Sequence, residues 1–285
     1  MPRDEPALHG RSIAAVDALG LIDAWNVPHV AAGVVAPGLR AVRGDEERVF
    51  RWASVTKPVA ALAALVALEE GVAELDDPAG PPGSTLRHLL AHASGLPLNA
   101  GGPLSAPGRR RIYSNAGFEA LAEHVSRGAE SPFADYLRLA VLEPLGLGAM
   151  LRGSPAWGLE GPLADLLAVG EELLAPRLVA PETLAEATAT TFPGLPGILP
   201  GFGRMEPNDW GLGFELRNGK SPHWTGELNS PQTFGHFGAS GTFLWVDPVA
   251  RVACACLTDR EFGAWAKEAW PQLSDAILAE TGVAK

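Results

Sequence analysis

The sequence predicts an α+β protein: one antiparallel sheet built from both ends of the chain and flanked by helices, with an all-helical segment inserted between them. Three observations carry this. Extended, alternating stretches cluster before residue 54 and again after residue 210. The residues from Val59 to about Arg177 follow helical periodicity. Strands at both ends around a helical middle close most simply as a single sheet. The expected division is 1–53 with 205–285 as one α/β lobe and 54–204 as a helical lobe, with an active site in the cleft between them.

Taken in order, residues 12–25 (S-I-A-A-V-D-A-L-G-L-I-D-A-W) have the broad apolar side of a helix. His29–Ala36 and Leu39–Arg43 read as two strands turning at Pro37-Gly38, and Val49–Ala53 as a further extended piece. Val59–Leu68 has no polar face, which marks a helix buried on every side. Ser54 and Lys57 stand three apart just ahead of it, so on a helix both side chains project from one face. Pro58 disfavours helical geometry at Lys57 but is tolerated in a first turn, which places Ser54–Pro58 at a tightened helix entrance.

The turn-rich D-D-P-A-G-P-P-G-S at 76–84 precedes a short helix around Leu86–His92. One helical face follows from Phe118, Leu121, Ala122 and Val125, another from Phe133, Tyr136, Leu137, Ala140 and Val141. The glycine- and proline-rich F-P-G-L-P-G-I-L-P-G-F-G reads as loop. Strand character returns in Gly211–Leu216, His223–Thr225, Phe234–Ala239, Gly241–Val246 and Val252–Thr258, and a helix over about Phe262–Glu280 ends the chain.

Composition sets limits. A net charge of −11 argues against nucleic acid or an anionic membrane as the main partner, and 47% hydrophobic with 19% charged residues describes an ordinary soluble globule. The longest apolar run, ten residues, is too short to span a bilayer. The N-terminus M-P-R-D-E-P-A-L-H-G lacks an apolar signal region, which predicts a cytoplasmic protein. Cys254 and Cys256 share one face of a strand and read as buried free thiols.

A serine and a lysine held together at the start of a buried helix can generate a nucleophilic alkoxide. Alone, the pair reads equally well as a serine N-cap with a first-turn lysine. Two further clusters bear on the choice. In Tyr113-Ser114-Asn115, alternate side chains Tyr113 and Asn115 can emerge on one side; the plainer reading makes Asn115 the N-cap of the helix of Phe118 and Tyr113 a core residue. In Gly235-His236-Phe237-Gly238-Ala239-Ser240-Gly241, the glycines suit a strand edge that a substrate backbone approaches closely, or else a bulge with an incidental histidine.

S-V-T-K, Y-S-N and H-F-G, in that order, resemble the three motifs of the serine β-lactamase and penicillin-binding-protein superfamily. The Y-x-N form is similar to the class C β-lactamase branch, which includes esterases, D-amino-acid peptidases and acyltransferases. L-R-H-L-L-A-H-A-S-G-L-P, W-G-L-G-F-E-L and G-H-F-G-A-S-G-T-F-L-W-V-D-P match as well, so the resemblance runs from about Val27 to Asp259. It implies a β-lactamase-like fold, Ser54 as acylated nucleophile, Lys57 as proton acceptor and Tyr113 as proton shuttle. Asn115 would hold substrate and Lys57. His236, Gly238 and Ala239 would form the substrate-binding strand, with the Ser54 and Ala239 N–H groups as oxyanion donors. No cofactor or metal is called for.

Two departures from the β-lactamase pattern matter. His236 and Phe237 stand where that branch has lysine and a hydroxyl residue, an arrangement less suited to a substrate carboxylate. A largely neutral His236 would leave Lys57 with a higher pKa and give a mildly alkaline optimum. The chain is also short for class C. The expected activity is a carboxylesterase on small esters with weak or no β-lactam hydrolysis. The alternatives are a D-amino-acid peptidase or β-lactamase proper, and a catalytically silent module that binds a small ester, amide or β-lactam.

Other candidates carry less. His88 and His92 have metal-ligand spacing, but Leu89 stands where a zincin has glutamate, so they read as structural. Ser94 and Ser240 lie beside glycines without completing G-x-S-x-G. Trp210 and Trp245 are candidate pocket residues. Arg109-Arg110-Arg111 is either a solvated loop or a device steering acidic substrates.

Overall fold

The computed structural model describes residues 16–281. β1 (Val30–Ala36) and β2 (Leu39–Gly44) form the expected hairpin, whose turn places Gly38 at φ +76°, a backbone that a β-carbon would oppose. β3 (Phe50–Arg51) leads through a 3-10 turn, Ala53–Val55, into α1 (Thr56–Glu69). That turn is the tightened entrance, and Pro58 falls in the first turn of α1, where an N–H has no intrahelical acceptor. Every residue of α1 from Thr56 to Ala67 is buried. Withdrawing side chains such as Leu62 and Leu65 from water contributes about 1.5–3 kcal/mol each.

The helical middle comprises α2 (Leu86–Leu90), α3 (Asn115–Gly128) and α4 (Phe133–Leu137), the last running into one π-helical turn, Arg138–Leu142. Their buried faces are the expected ones, except that Ala140 is only partly covered. Then come β4 (Met150–Leu151), β5 (Leu159–Gly161), α5 (Leu163–Leu174), α6 (Pro181–Ala187), β6 (Gly197–Leu199), β7 (Gly203–Met205) and β8 (Glu215–Leu216). β9 (Phe234–Gly238), β10 (Thr242–Asp247), β11 (Val252–Thr258) and α7 (Ala264–Glu280) complete the fold.

The main sheet is antiparallel in the order β2-β1-β11-β10-β9-β8, so strands from the two halves of the chain meet where β1 pairs with β11, with Val34 opposite Cys254. This is the predicted α+β class. Both faces of the sheet are covered. α5 lies on one, Gly170 bringing its backbone close to Ala253, Leu244 and Val35. α7 and a 3-10 helix, Asp17–Ala24, lie on the other, over Phe243, Trp245, Cys254 and Cys256. Both cysteines are free and buried.

Several expectations are corrected. The helix read over 12–25 is this 3-10 segment, and residues 12–15 of it lie outside the described residues. The middle is not purely helical: β4 and β5 join β3 in a three-stranded sheet. Part of the glycine-proline segment is a hairpin, β6 with β7. Gly211–Leu216 contracts to β8, and His223–Thr225 is not a strand. That region is held by side chains instead, with the buried Glu215 accepting from Lys220, His223 and the Trp224 indole. Among the described residues, no helix is long and apolar enough to cross a membrane.

Candidate active site

The helix entrance and the loop before α3 bring the first two motifs together at one nitrogen. Lys57 Nζ lies 2.7 Å from Tyr113 Oη, 2.8 Å from Asn115 Oδ1, 2.9 Å from the Ala156 carbonyl and 3.4 Å from Ser54 Oγ. Asn115 Oδ1 and the Ala156 carbonyl can only accept, so they take two Nζ–H bonds and leave the third position to two hydroxyls. The orientation of the Asn115 amide is fixed from its other side, where Nδ2 donates to Asn99 Oδ1 at 3.3 Å. A neutral Lys57 in this setting accepts a proton from Ser54 or Tyr113 without losing either anchoring bond.

Burial pushes Lys57 well below the ordinary lysine range, against the opposing pull of the Glu119 carboxylate. Burial also raises the Tyr113 phenol, its hydrogen bond to Ser54 working the other way. Burial thus disfavours the charged form of both groups, so Lys57 loses its proton more readily than an exposed lysine and the phenol holds its own more tightly. His236, on β9, is buried and its pKa falls to about 3, through burial first and the charge of Lys57 second. It is neutral as expected. Burial in the apolar surround of α1 is what lowers Lys57, and a neutral His236 adds no repulsion to it.

The third motif faces Ser54 through backbone. Gly238 packs where a Cβ would meet the Trp52 carbonyl at 2.7 Å and Ala53 Cβ at 2.9 Å. Thr242 Oγ1 donates to the Trp52 carbonyl and Ser240 Oγ to the Arg51 carbonyl, both at 2.9 Å, tying the end of β9 and the start of β10 to the segment before the nucleophile. Ala53 itself has φ +46°, an uncommon backbone for alanine that is held by these contacts. A cleft of about 860 Å³ opens here, lined by Ser54, Asn115 and Ala239, with Trp157, half exposed, on its wall.

The remaining candidates separate. Ser114, not Asn115, caps α3: its Oγ accepts from the Gly117 N–H at 2.8 Å, which frees the Asn115 side chain for Lys57. Trp210 is buried against Tyr113 and His236, with ring centroids at 5.9 and 5.5 Å, and so backs the site, whereas Trp245 packs on the α7 side of the sheet, away from the cleft. Ser94 is buried, and Ser240 is committed to the Arg51 carbonyl. His88 caps α2 through Thr85 and stacks on Phe192. The arginine cluster is not one unit: Arg111 is buried and donates to the carbonyls of Asn208, Ala91, Thr191 and Phe192. Sequence reasoning missed Ala156 and Trp157, which sit on a loop with no local signature.

Comparison with known proteins bears on the family and the fold. Residues 23–156 match the family model described as Beta-lactamase. A crystal structure of a β-lactamase from Mycobacterium bovis is 55% identical, with a TM-score of 0.91, covering 93% of this chain and 99% of that one. EstCE1, described as a hydrolase with promiscuous acyltransferase activity, shares the fold at a TM-score of 0.73 and 18% identity, over 92% of this chain and 97% of that one. The D-alanyl-D-alanine-carboxypeptidase/endopeptidase AmpH of Escherichia coli is 26% identical over 167 residues, 46% of this chain and 43% of that protein. The chain spans less than half the length of the curated relatives it matches. It belongs to the serine β-lactamase and penicillin-binding-protein-like superfamily.

Proposed function

We propose that the protein is a serine hydrolase that forms an acyl-enzyme on Ser54 and acts as a carboxylesterase on small esters, with weak or no β-lactam turnover. The observation that carries this reading is the buried Lys57 nitrogen shared by Ser54, Tyr113, Asn115 and the Ala156 carbonyl, beside a neutral His236. Lys57 takes the Ser54 proton as Oγ attacks the ester carbonyl carbon. The Ser54 and Ala239 N–H groups receive the oxyanion, a pair worth roughly 3 kcal/mol of barrier. The proton passes through Tyr113 to the departing alkoxide, the C–O bond breaks, and water reverses the path to release acid and free Ser54. The substrate enters the cleft between the end of β9 and the helical residues at the start of α1 and α3, lined by Ser54, Asn115, Trp157 and Ala239.

His236 and Phe237 shape the preference. A neutral imidazole supplies no fixed cation for a substrate carboxylate, and Phe237 is turned toward Trp224, Phe262 and Trp270 rather than the cleft. A second reading, β-lactamase proper, is favoured by the name of the M. bovis relative; the AmpH match favours a D-peptidase. Hydrolysis of p-nitrophenyl acetate and butyrate, measured beside a chromogenic cephalosporin and a D-Ala-D-Ala peptide, separates them. Ester turnover well above the other two is expected. Preference for the cephalosporin or the peptide replaces this reading, and no turnover with no covalent adduct leaves a binding module.

A further inference from the structure

We propose that His92 is the positioning residue for Tyr113, holding the phenol where it delivers a proton to the leaving group. The proposal rests on the reading that Tyr113 handles that proton. His92 follows α2 and is almost fully buried, at 1% exposure. It grips the chain on both sides of Tyr113. Its carbonyl accepts from the Ile112 N–H at 2.9 Å, and its Nδ1 accepts from the Ser114 N–H at 3.1 Å. Its ring lies 4.8 Å from the Tyr113 ring and meets Trp210 at a near-perpendicular angle at 4.6 Å, the Tyr113 and Trp210 rings being 5.9 Å from each other. One side chain and one carbonyl thus hold the N–H groups of the residues just before and just after Tyr113, whose phenol oxygen stands 2.7 Å from Lys57 Nζ.

Two features set His92 apart from an ordinary core histidine. Its backbone is left-handed, φ +53°, a conformation uncommon outside glycine and asparagine and retained where surrounding contacts hold it. Its tautomer is also determined: Nδ1 accepts, so in the neutral ring the proton is on Nε2, and a protonated ring would lose the acceptor. Burial first, and the charge of Lys57 next, keep the ring neutral. With Nδ1 taken by the Ser114 N–H and Nε2 buried without a hydrogen-bond partner among the described residues, neither ring nitrogen is placed to exchange a proton with Tyr113 or Lys57. The work of His92 is to present a lone pair to the Ser114 N–H and a flat wall to the phenol.

The test uses two esters with one acyl group. p-Nitrophenyl butyrate releases a stable anion that needs no proton, whereas ethyl butyrate releases an alkoxide that does. His92→Gly relieves the left-handed backbone while removing the ring. It is expected to lower kcat/KM on ethyl butyrate by about 10²-fold and on the nitrophenyl ester by less than about tenfold. His92→Asn, whose Oδ1 falls near the Nδ1 position and whose backbone tolerates the left-handed region, should restore most of the ethyl ester rate. In Tyr113→Phe, the change at 92 should cost nothing further. Should His92→Gly fail to fold by circular dichroism, His92→Gln carries the same expectation, because its amide reaches the Nε2 position instead. Equal losses on both esters, or losses additive with Tyr113→Phe, overturn the proposal alone. A Tyr113→Phe variant that treats both esters alike removes the reading of Tyr113, and this proposal with it.

Discussion

Gly238→Ala isolates the spacing between the nucleophile turn and the end of β9. A Cβ at 238 would lie 2.5 Å from Thr242 Oγ1, 2.7 Å from the Trp52 carbonyl oxygen and 2.9 Å from Ala53 Cβ. Two of these atoms belong to the residues directly before Ser54, and the oxygen is backbone. Relieving the contact to ordinary separation moves β9 and the turn apart by about 0.7 Å. The Thr242 bond to the Trp52 carbonyl is strained or lost in the same movement. If the Ser54 and Ala239 N–H groups converge on one oxygen, that displacement withdraws a donor and lowers kcat by about 10²–10³-fold. Overpacking costs about 1–3 kcal/mol of stability, read as a fall in Tm. The assay is steady-state hydrolysis of p-nitrophenyl acetate beside a thermal melt. A kcat within about threefold of the parent, with Tm lowered, would refute the idea that this glycine sets the oxyanion geometry.

Three further outcomes are expected. Activity should rise with pH along a single acidic limb, because the active form has neutral Lys57 and burial places its pKa below the ordinary lysine range; His236→Gln should leave the limb in place, since His236 is already neutral with a pKa of about 3. A pH titration of kcat/KM in both proteins checks this, and a limb that moves with His236→Gln contradicts it. Trp157→Ala should raise KM for p-nitrophenyl butyrate several-fold with little change in kcat, as an exposed indole on the cleft wall contributes binding area, on the order of 1 kcal/mol. Arg111→Met should lower stability by about 3 kcal/mol in denaturant melts, because four carbonyls lose their donor, and KM for a carboxylated ester should show no special salt dependence.

Much of this site was legible because its chemistry is written in short local strings. Ser54 and Lys57 are one turn apart, and Tyr113-Ser114-Asn115 and His236-Phe237-Gly238 each occupy three residues. The expected sheet followed from alternation and turn residues. What failed depended on contacts distant in sequence. Ser114 and Asn115 are both good cap residues, and only the position of Lys57 decides which one caps α3. β4 and β5 are too short to show alternation and exist because β5 pairs with β3 on one edge and with β4 on the other. Trp245 was misplaced because β10 is buried on both faces: Leu244 and Val246 point to the α5 side, Phe243 and Trp245 to the α7 side, and no polar residue marks the difference. His92 was weighed as half of a metal pair with His88, a spacing argument blind to the left-handed turn that aims it at Tyr113 instead.

The central claim is a single acyl-accepting serine at the head of α1, and intact-mass spectrometry after reaction with a fluorophosphonate tests it most directly. One adduct is expected on the parent protein, mapped to Ser54 by peptide analysis and absent from Ser54→Ala. Labelling that persists in Ser54→Ala, at Ser94, Ser240 or any other residue, would contradict it.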